Sequence, residues 1–311
     1  AVQNESVPNP SIMKKSVLDQ LIQLRQQIHQ HPEISGEEVN TAAAVVAFFK
    51  DLKHSHIETK VGGTGVLVTF DSGKSGKSLL FRAELDGLPI QEEGDLHYKS
   101  VYEGKGHQCG HDGHLTILAG VGAWLSENPP KRGKVHLIFQ PAEENGEGAK
   151  AVMNDERFKG LKFDEVYALH NLPGYPLGQI VVKENSFTAA VNSIIIKIKG
   201  KTSHAAEPEK GLNPSLAVAE ILNGLETFQN NNPKLTDFRL ITPVYVTMGS
   251  QDYGISAGDA EIHLTLRSWT NDGLAELERS VIQLAEEVCK KHHLIFNHEF
   301  LAHFYANEND K

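Results

Sequence analysis

The strongest constraint on this chain is a change of rhythm near residue 192. Before it, apolar β-rich runs alternate with helical segments: GVLVTF at 65–70, SLLFRAEL at 78–85, KVHLIFQ at 134–140 and EVYALH at 165–170, with helical stretches at about 112–126 and 147–156. Several of these strands are continuously apolar, which fits a sheet covered on both faces and predicts an α/β layer. Ahead of them, Val17, Leu18, Leu21, Ile22, Leu24 and Ile28 recur at helical spacing, predicting an amphipathic helix over about 14–30 that Pro32 stops. Ser35 with Glu38 three residues on reads as a capping box for a second helix through TAAAVVAFFKDL, to about Leu52.

After residue 192 the order is β-α-β-β-α-β: SIIIKIKG, NPSLAVAEILNGLETF, ITPVYVTMG, AEIHLTLRS, GLAELERSVIQLAEEVCKKHH and LIFNHEFLAHF. That order predicts a split βαβ layer, a four-stranded sheet with one face under two helices. The 311 residues suit two domains. They are read as 1–191, 192–304 and a short continuation at 305–311.

Composition narrows the partners. Thirty basic against forty acidic residues leave a net charge of −10, which repels phosphate backbones and excludes nucleic acid as the main partner. Cys109 and Cys289 are the only cysteines and make no disulfide framework, so a reducing compartment is expected. No stretch reaches the roughly 18 apolar residues of a membrane span. The polar opening AVQNESVPNPS is no signal peptide, and Met13 can be a native start. The expectation is a cytoplasmic protein with no membrane partner; a processed periplasmic form is the alternative, because the sequence begins at Ala1.

Histidine is the unusual entry. Of the 16, His97, His107, His111 and His114 fall within eighteen positions around Cys109. In GHQCGHDGH (106–114) a thiol and an imidazole two positions apart, at a helix start with glycines around them, suit Zn²⁺, Mn²⁺, Co²⁺ or Ni²⁺. FQPAEENGEGA (139–149) ends a strand on the adjacent carboxylates Glu143 and Glu144; one can bind a metal while the other takes a proton from water. His170 in YALHNLP ends another strand, and RAELDGLP places Glu84 and Asp86 where acids can orient a ligand histidine. Each has a plainer reading taken alone: a buried thiol, a solvated helix start, a sheet-capping histidine, an Asp-Gly turn. Together Cys109, His111, Glu144 and His170 offer sulfur, nitrogen and oxygen donors from one rim of a sheet.

These segments resemble the dinuclear-metal amidohydrolases of the aminoacylase and glutamate-carboxypeptidase family, in particular the branch acting on N-acyl amino acids, hippurate and auxin conjugates. The match is ordered: RQQIHQHPEISGEE, GGTGVLV, RAELDGLP, CGHDGH, FQPAEENGEGA, LHNLP, GKTSHAAEP and RSW follow one another through residues 25–269, and the resemblance covers nearly all of 15–310. It implies a zinc-peptidase-like α/β catalytic domain with an inserted α+β lid domain. It implies two divalent ions, zinc or manganese first and cobalt or nickel as alternatives, held by Cys109 as bridging ligand with His111, Glu144 and His170. Glu143 becomes the general base, His204 the lid histidine that reaches the substrate carbonyl, Arg267 the cation for the substrate carboxylate, and Glu84 and Asp112 supporting residues, with His114 structural. It further implies an N-acyl amino acid as substrate and a homodimer through the lid, whose sheet edge offers the route.

Three departures from the family pattern stand out. Glu84 replaces the usual Asp, and Tyr253-Gly254-Ile255-Ser256 replaces the lid's usual Asn-Val-Ile-Pro run, which bears on substrate preference. The sequence also ends at HFYANENDK, where family members return to the catalytic domain and supply one more metal-binding histidine. The alternatives to an N-acyl-amino-acid hydrolase are therefore a dipeptidase or aminopeptidase of the same family, or an incomplete, inactive metal-binding fragment.

Overall fold

The computed structural model describes residues 13–310, and the leader before Met13, with the expectations placed on it, lies outside them. Contacts divide the chain into two units, 1–179 and 180–311. No described helix is long and apolar enough to cross a membrane.

The first unit runs α1 (Lys15–Gln30), α2 (Val39–Phe49), β1 (His56–Val61), β2 (Gly65–Asp71), β3 (Ser78–Glu84), α3 (His111–Glu127), β4 (Lys134–Gln140), α4 (Gly148–Asn154), α5 (Glu156–Lys159) and β5 (Glu165–Ala168). Its sheet has the order β1-β2-β4-β3-β5. β3 pairs parallel with both β4 and β5, whereas β2 pairs antiparallel with β1 and β4. One face is buried under α1, α2 and α3 by Leu21, Leu24, Val45, Phe49, Leu115 and Phe139, and a smaller cluster of Leu67, Leu80, Ile138 and Val152 covers the other. That two-sided cover is what the continuous apolar runs require. β1 escapes the sequence reading because HIETKV carries little apolar pattern; it is an edge strand, mostly in contact with water.

The capping box is not formed. Ser35 donates to Asp86 Oδ2 at 2.7 Å, and it is Glu33 that accepts from the Asn40 and Thr41 backbone N–H groups at the start of α2. A carboxylate seven and eight residues upstream reaches the free N–H groups, leaving Glu38 for another task.

The second unit contains β6 (Asn185–Thr188), β7 (Ala190–Lys199), β8 (Ser203–His204), α6 (Ser215–Leu225), β9 (Arg239–Met248), β10 (Ile255–Ser256), β11 (Asp259–Ser268), α7 (Asn271–Lys291), β12 (Ile295–Phe304) and β13 (Asn307–Asn309). Its main sheet, β12-β7-β11-β9, is antiparallel throughout and buries Ile194, Ile196, Ile198, Ile262, Leu264 and Leu266 against Ile221, Leu277 and Val281 of the helices. The alternation in SIIIKIKG and AEIHLTLRS is the signature of that one-sided burial. The division falls at 179 rather than 191, and residues 307–309 pair with β6 inside this unit instead of leaving it. Polar four-residue NSFT hides β6 from a pattern search.

Candidate metal centre

Because β3, β4 and β5 are mutually parallel, their carboxyl ends share one rim, where open α/β sheets place their chemistry. The end of β3 supplies Glu84 and the residues beyond it Asp86; Glu143 and Glu144 follow β4, His170 follows β5, and Cys109 and His111 stand at the start of α3. Gly110 makes the entry to α3 possible: its φ is +101°, and a Cβ there would lie 2.7 Å from Asn171 Oδ1.

His111 sits at the middle. It is buried, and its Nδ1–H donates to the backbone carbonyl of Asp86 at 2.8 Å, with Asp86 Oδ1 at 3.3 Å. That fixes the ring and turns the Nε2 lone pair to the other side. Nε2 is buried without a hydrogen-bond partner and lies 3.7 Å from both Glu143 Oε2 and Glu144 Oε1. Glu144 Oε1 is likewise buried and unpartnered. Cys109 Sγ is 3.3 Å from His170 Nε2.

Three groups of donors emerge among the described residues: Cys109 with His111 and His170, His111 with Glu143 and Glu144, and Glu84 with His111 and His114, the last already joined by the Glu84–His114 hydrogen bond. Ligand atoms about 2.0–2.3 Å from one ion at tetrahedral angles stand about 3.3–3.8 Å apart. The observed spacings match those edges, and the donors of mixed softness suit a divalent transition ion. The residues present therefore fit the metal. Cys109, His111, Glu143, Glu144 and His170 are brought together. His204, on β8 opposite Ile255, and Arg267, exposed on β11 opposite Val191 and Leu240, belong to the second unit. There the Ala206 backbone N–H donates to His204 Nδ1 at 3.1 Å.

Two supporting roles differ from expectation. Glu84, expected beside a ligand histidine, bonds His114 Nδ1 at 2.8 Å and pairs with Arg82 at 2.7 Å. Arg82 and His114 occupy Glu84, and Asp86 holds His111. Asp112 faces Arg25 Nε at 2.9 Å and His29 Nδ1 at 3.0 Å rather than a ligand. His114 accepts from the Asn171 backbone N–H at 3.0 Å through Nε2, so both its nitrogens are engaged and it braces the β5 loop. Asp86 takes the orienting role that the sequence offers to both acids of RAELDGLP, whereas Asn171 is assigned no role from sequence. For Asn171 there is no signal beyond adjacency to His170.

Electrostatics follow the crowding. Burial opposes charge on His111, but the Asp86 carboxylate at Nδ1 and the nearby Cys109 sulfur outweigh it and carry its pKa up to about 11. The contact with Cys109 raises His170 to about 9, and His111 with His170 lowers the Cys109 thiol. Burial raises Glu143 above the ordinary carboxylate range. Groups that hold protons this firmly hold a divalent ion in their place, and ligation releases the protons. Metal affinity is accordingly expected to rise by more than tenfold per pH unit between pH 6.5 and 8.5, as His111 and His170 each give up a proton. Calorimetric titration with Mn²⁺ at three pH values checks this; an affinity flat in pH contradicts it.

Comparison with known proteins agrees with the cluster. The model of peptidase family M20/M25/M40 matches residues 80–297. The N-acetyldiaminopimelate deacetylase of Halalkalibacterium halodurans is 32% identical over 270 residues, 86% of this chain and 72% of that protein. The N-acetyl-L-cysteine deacetylase of Bacillus subtilis is 32% identical over 289 residues, 92% and 68%. A solved structure from Bacillus subtilis, a dinuclear metal-binding peptidase of the M20 family, superposes with a TM-score of 0.78 at 27% identity, covering 96% of this chain and 77% of that one. Since the matched span holds Cys109, His111, Glu143, Glu144 and His170, the sheet rim and the family point to one chemistry, and this chain belongs to peptidase family M20/M25/M40 as a metal-dependent amidohydrolase.

Proposed function

We propose that the chain hydrolyses the amide bond of N-acyl amino acids, with short acyl groups such as acetyl as first choice. The observation that carries this reading is the buried, unpartnered Nε2 of His111 facing Glu143 and Glu144 at 3.7 Å each, a donor cluster beside a free carboxylate. The short acyl group is argued from the relatives, two of which are named as deacetylases of N-acetylated amino acids.

Cys109, His111, Glu144 and His170 would hold the metal, taken as two ions of zinc or manganese, which when bound would supply the Lewis acidity for attack on the amide carbonyl. Glu143 does the proton work. Its burial raises its proton affinity, which suits it to take a proton from the attacking water and give it to the departing nitrogen. Water oxygen bonds to the carbonyl carbon, the C–N bond breaks, and a carboxylate and a free amino acid leave. His204 is assigned to the substrate carbonyl and Arg267 to the substrate carboxylate, a task suited to a bidentate guanidinium. The chain is taken to act as a homodimer through the second unit, on small molecules rather than nucleic acids or membranes, in the cytoplasm.

A panel of N-acetyl amino acids, hippurate and dipeptides, assayed with Mn²⁺, Co²⁺ or Zn²⁺, tests the reading. Turnover of N-acetyl amino acids at least tenfold above dipeptides is expected. Preference for dipeptides transfers the chain to the peptidases of the family, and no turnover with any metal overturns the proposal.

A further inference from the structure

Glu38 is a fully buried carboxylate, and no cation pairs with it among the described residues. Ordinarily such a group is expensive to keep away from water. Its oxygens are spent on three loops. Oε1 accepts from the backbone N–H of Gly36 at 2.8 Å and of Ala142 at 2.7 Å, and Oε2 accepts from the Thr64 hydroxyl at 2.7 Å.

The Ala142 contact is the informative one. Ala142 has a φ of +47°, the left-handed region that residues with a Cβ avoid. It directly precedes Glu143 and Glu144. The turn is closed by the Gly148 N–H on the Ala142 carbonyl at 2.8 Å and the Gly146 N–H on the Glu143 carbonyl at 2.8 Å. Asp86 Oδ2 accepts from the Glu144 N–H at 3.0 Å. Among these tethers Glu38 alone grips the amide of the strained residue, 104 positions away in sequence. A relaxed Ala142 would rotate the following peptide and swing both carboxylates away from His111.

We propose that Glu38 is a positioning residue: by holding Ala142 left-handed it aims Glu143 and Glu144 at the metal cluster. The inference rests on the reading of Glu143 and Glu144 given above, so its test is split between metal affinity and turnover. Substitution of groups that orient metal ligands typically costs 10–100-fold in affinity or activity. In the full chain, E38A is expected to weaken Co²⁺ binding 10–100-fold and to lower kcat for an N-acetyl amino acid by a similar factor with KM little changed. E38Q keeps an amide oxygen for the two N–H donors and is expected within about threefold of wild type in Co²⁺ affinity.

The decisive variant is E38A/A142G. Glycine takes φ +47° without strain, so adding A142G is expected to restore at least a third of the lost Co²⁺ affinity. If Glu38 merely supported the start of α2, A142G would restore nothing, and that result overturns the proposal. Wild-type Co²⁺ affinity in E38A overturns it equally. Should E38A not fold, E38D with and without A142G gives the same comparison, since the shorter side chain withdraws from the Ala142 amide. If the wild-type chain binds Co²⁺ but turns over no N-acetyl amino acid, the functional reading fails while the affinity comparison still decides the role of Glu38.

Discussion

Glu143→Gln is expected to lower kcat for an N-acetyl amino acid by about a hundred- to ten-thousand-fold, the usual contribution of a positioned general base. Metal content is expected to stay near that of the unaltered chain, because Cys109, His111, Glu144 and His170 all remain. Glutamine keeps the size of the side chain and removes only the ability to accept and return a proton. KM therefore changes little. The pH profile sharpens the test: burial raises the Glu143 pKa, so the acid limb of kcat/KM in the unaltered chain should lie above the ordinary carboxylate range and vanish in the variant. A variant that keeps a tenth or more of the activity removes Glu143 from the proton path.

The second large effect concerns stability. His29 is buried between two buried carboxylates, with Nδ1 3.0 Å from Asp112 Oδ2 and Nε2 3.1 Å from Glu92 Oε1. Neither oxygen of an ionised carboxylate can donate, so the ring donates at both ends as an imidazolium. Its pKa is raised, the Asp112 hydrogen bond leading and outweighing burial, and that of Asp112 is lowered to about 2 with His29 foremost among the groups that overcome burial. His107, buried beside this ring, is kept neutral by burial at about 4. His29→Leu leaves the carboxylates without their shared counter-charge, which costs about 3–5 kcal/mol and lowers the midpoint of thermal unfolding by roughly 10 °C in a unit of this size. Differential scanning calorimetry measures it, and a loss below about 1 kcal/mol contradicts the charge assignment.

The sign of the pH dependence follows from the same shifts. A raised folded pKa means that His29 contributes fully below its unfolded value of about 6.5, and that its contribution is lost as pH rises through the folded value. The lowered values of Asp112 and Glu92 mean that their contributions are present above about 4 and lost as pH falls through the folded values. The advantage of the unaltered chain over His29→Leu is therefore greatest in weakly acid to neutral solution and shrinks toward alkaline pH.

Much of this centre is legible in the sequence because metal ligation restricts residue type so severely. Glu144 and His170 stand out as donors after strand ends and Cys109 and His111 as donors at a helix start, and parallel pairing of β3, β4 and β5 gives the strand ends a common rim. The residues that hold the donors are harder to see, since a carboxylate that orients a ring looks like any other acid. Of the two acids expected to orient a ligand histidine, Asp86 holds His111 because its backbone and side chain both reach Nδ1, a relation only the folded turn creates. Glu38 reads as a capping residue from its spacing to Ser35, yet its hydrogen bonds run to Gly36, Thr64 and Ala142. Long-range contacts of that kind leave no periodic trace. Strands with little apolar content, β1 and β6, escape for a related reason: they lie at sheet edges, where pairing rather than burial defines them.

The most direct test of the central claim is titration of the chain with Co²⁺ while following the thiolate-to-metal absorption band. The expected band saturates with bound ion, disappears in Cys109→Ala, and requires at least tenfold more Co²⁺ in His111→Ala. A chain that binds no ion, or binds it with the same affinity in both variants, contradicts a metal centre built on Cys109 and His111.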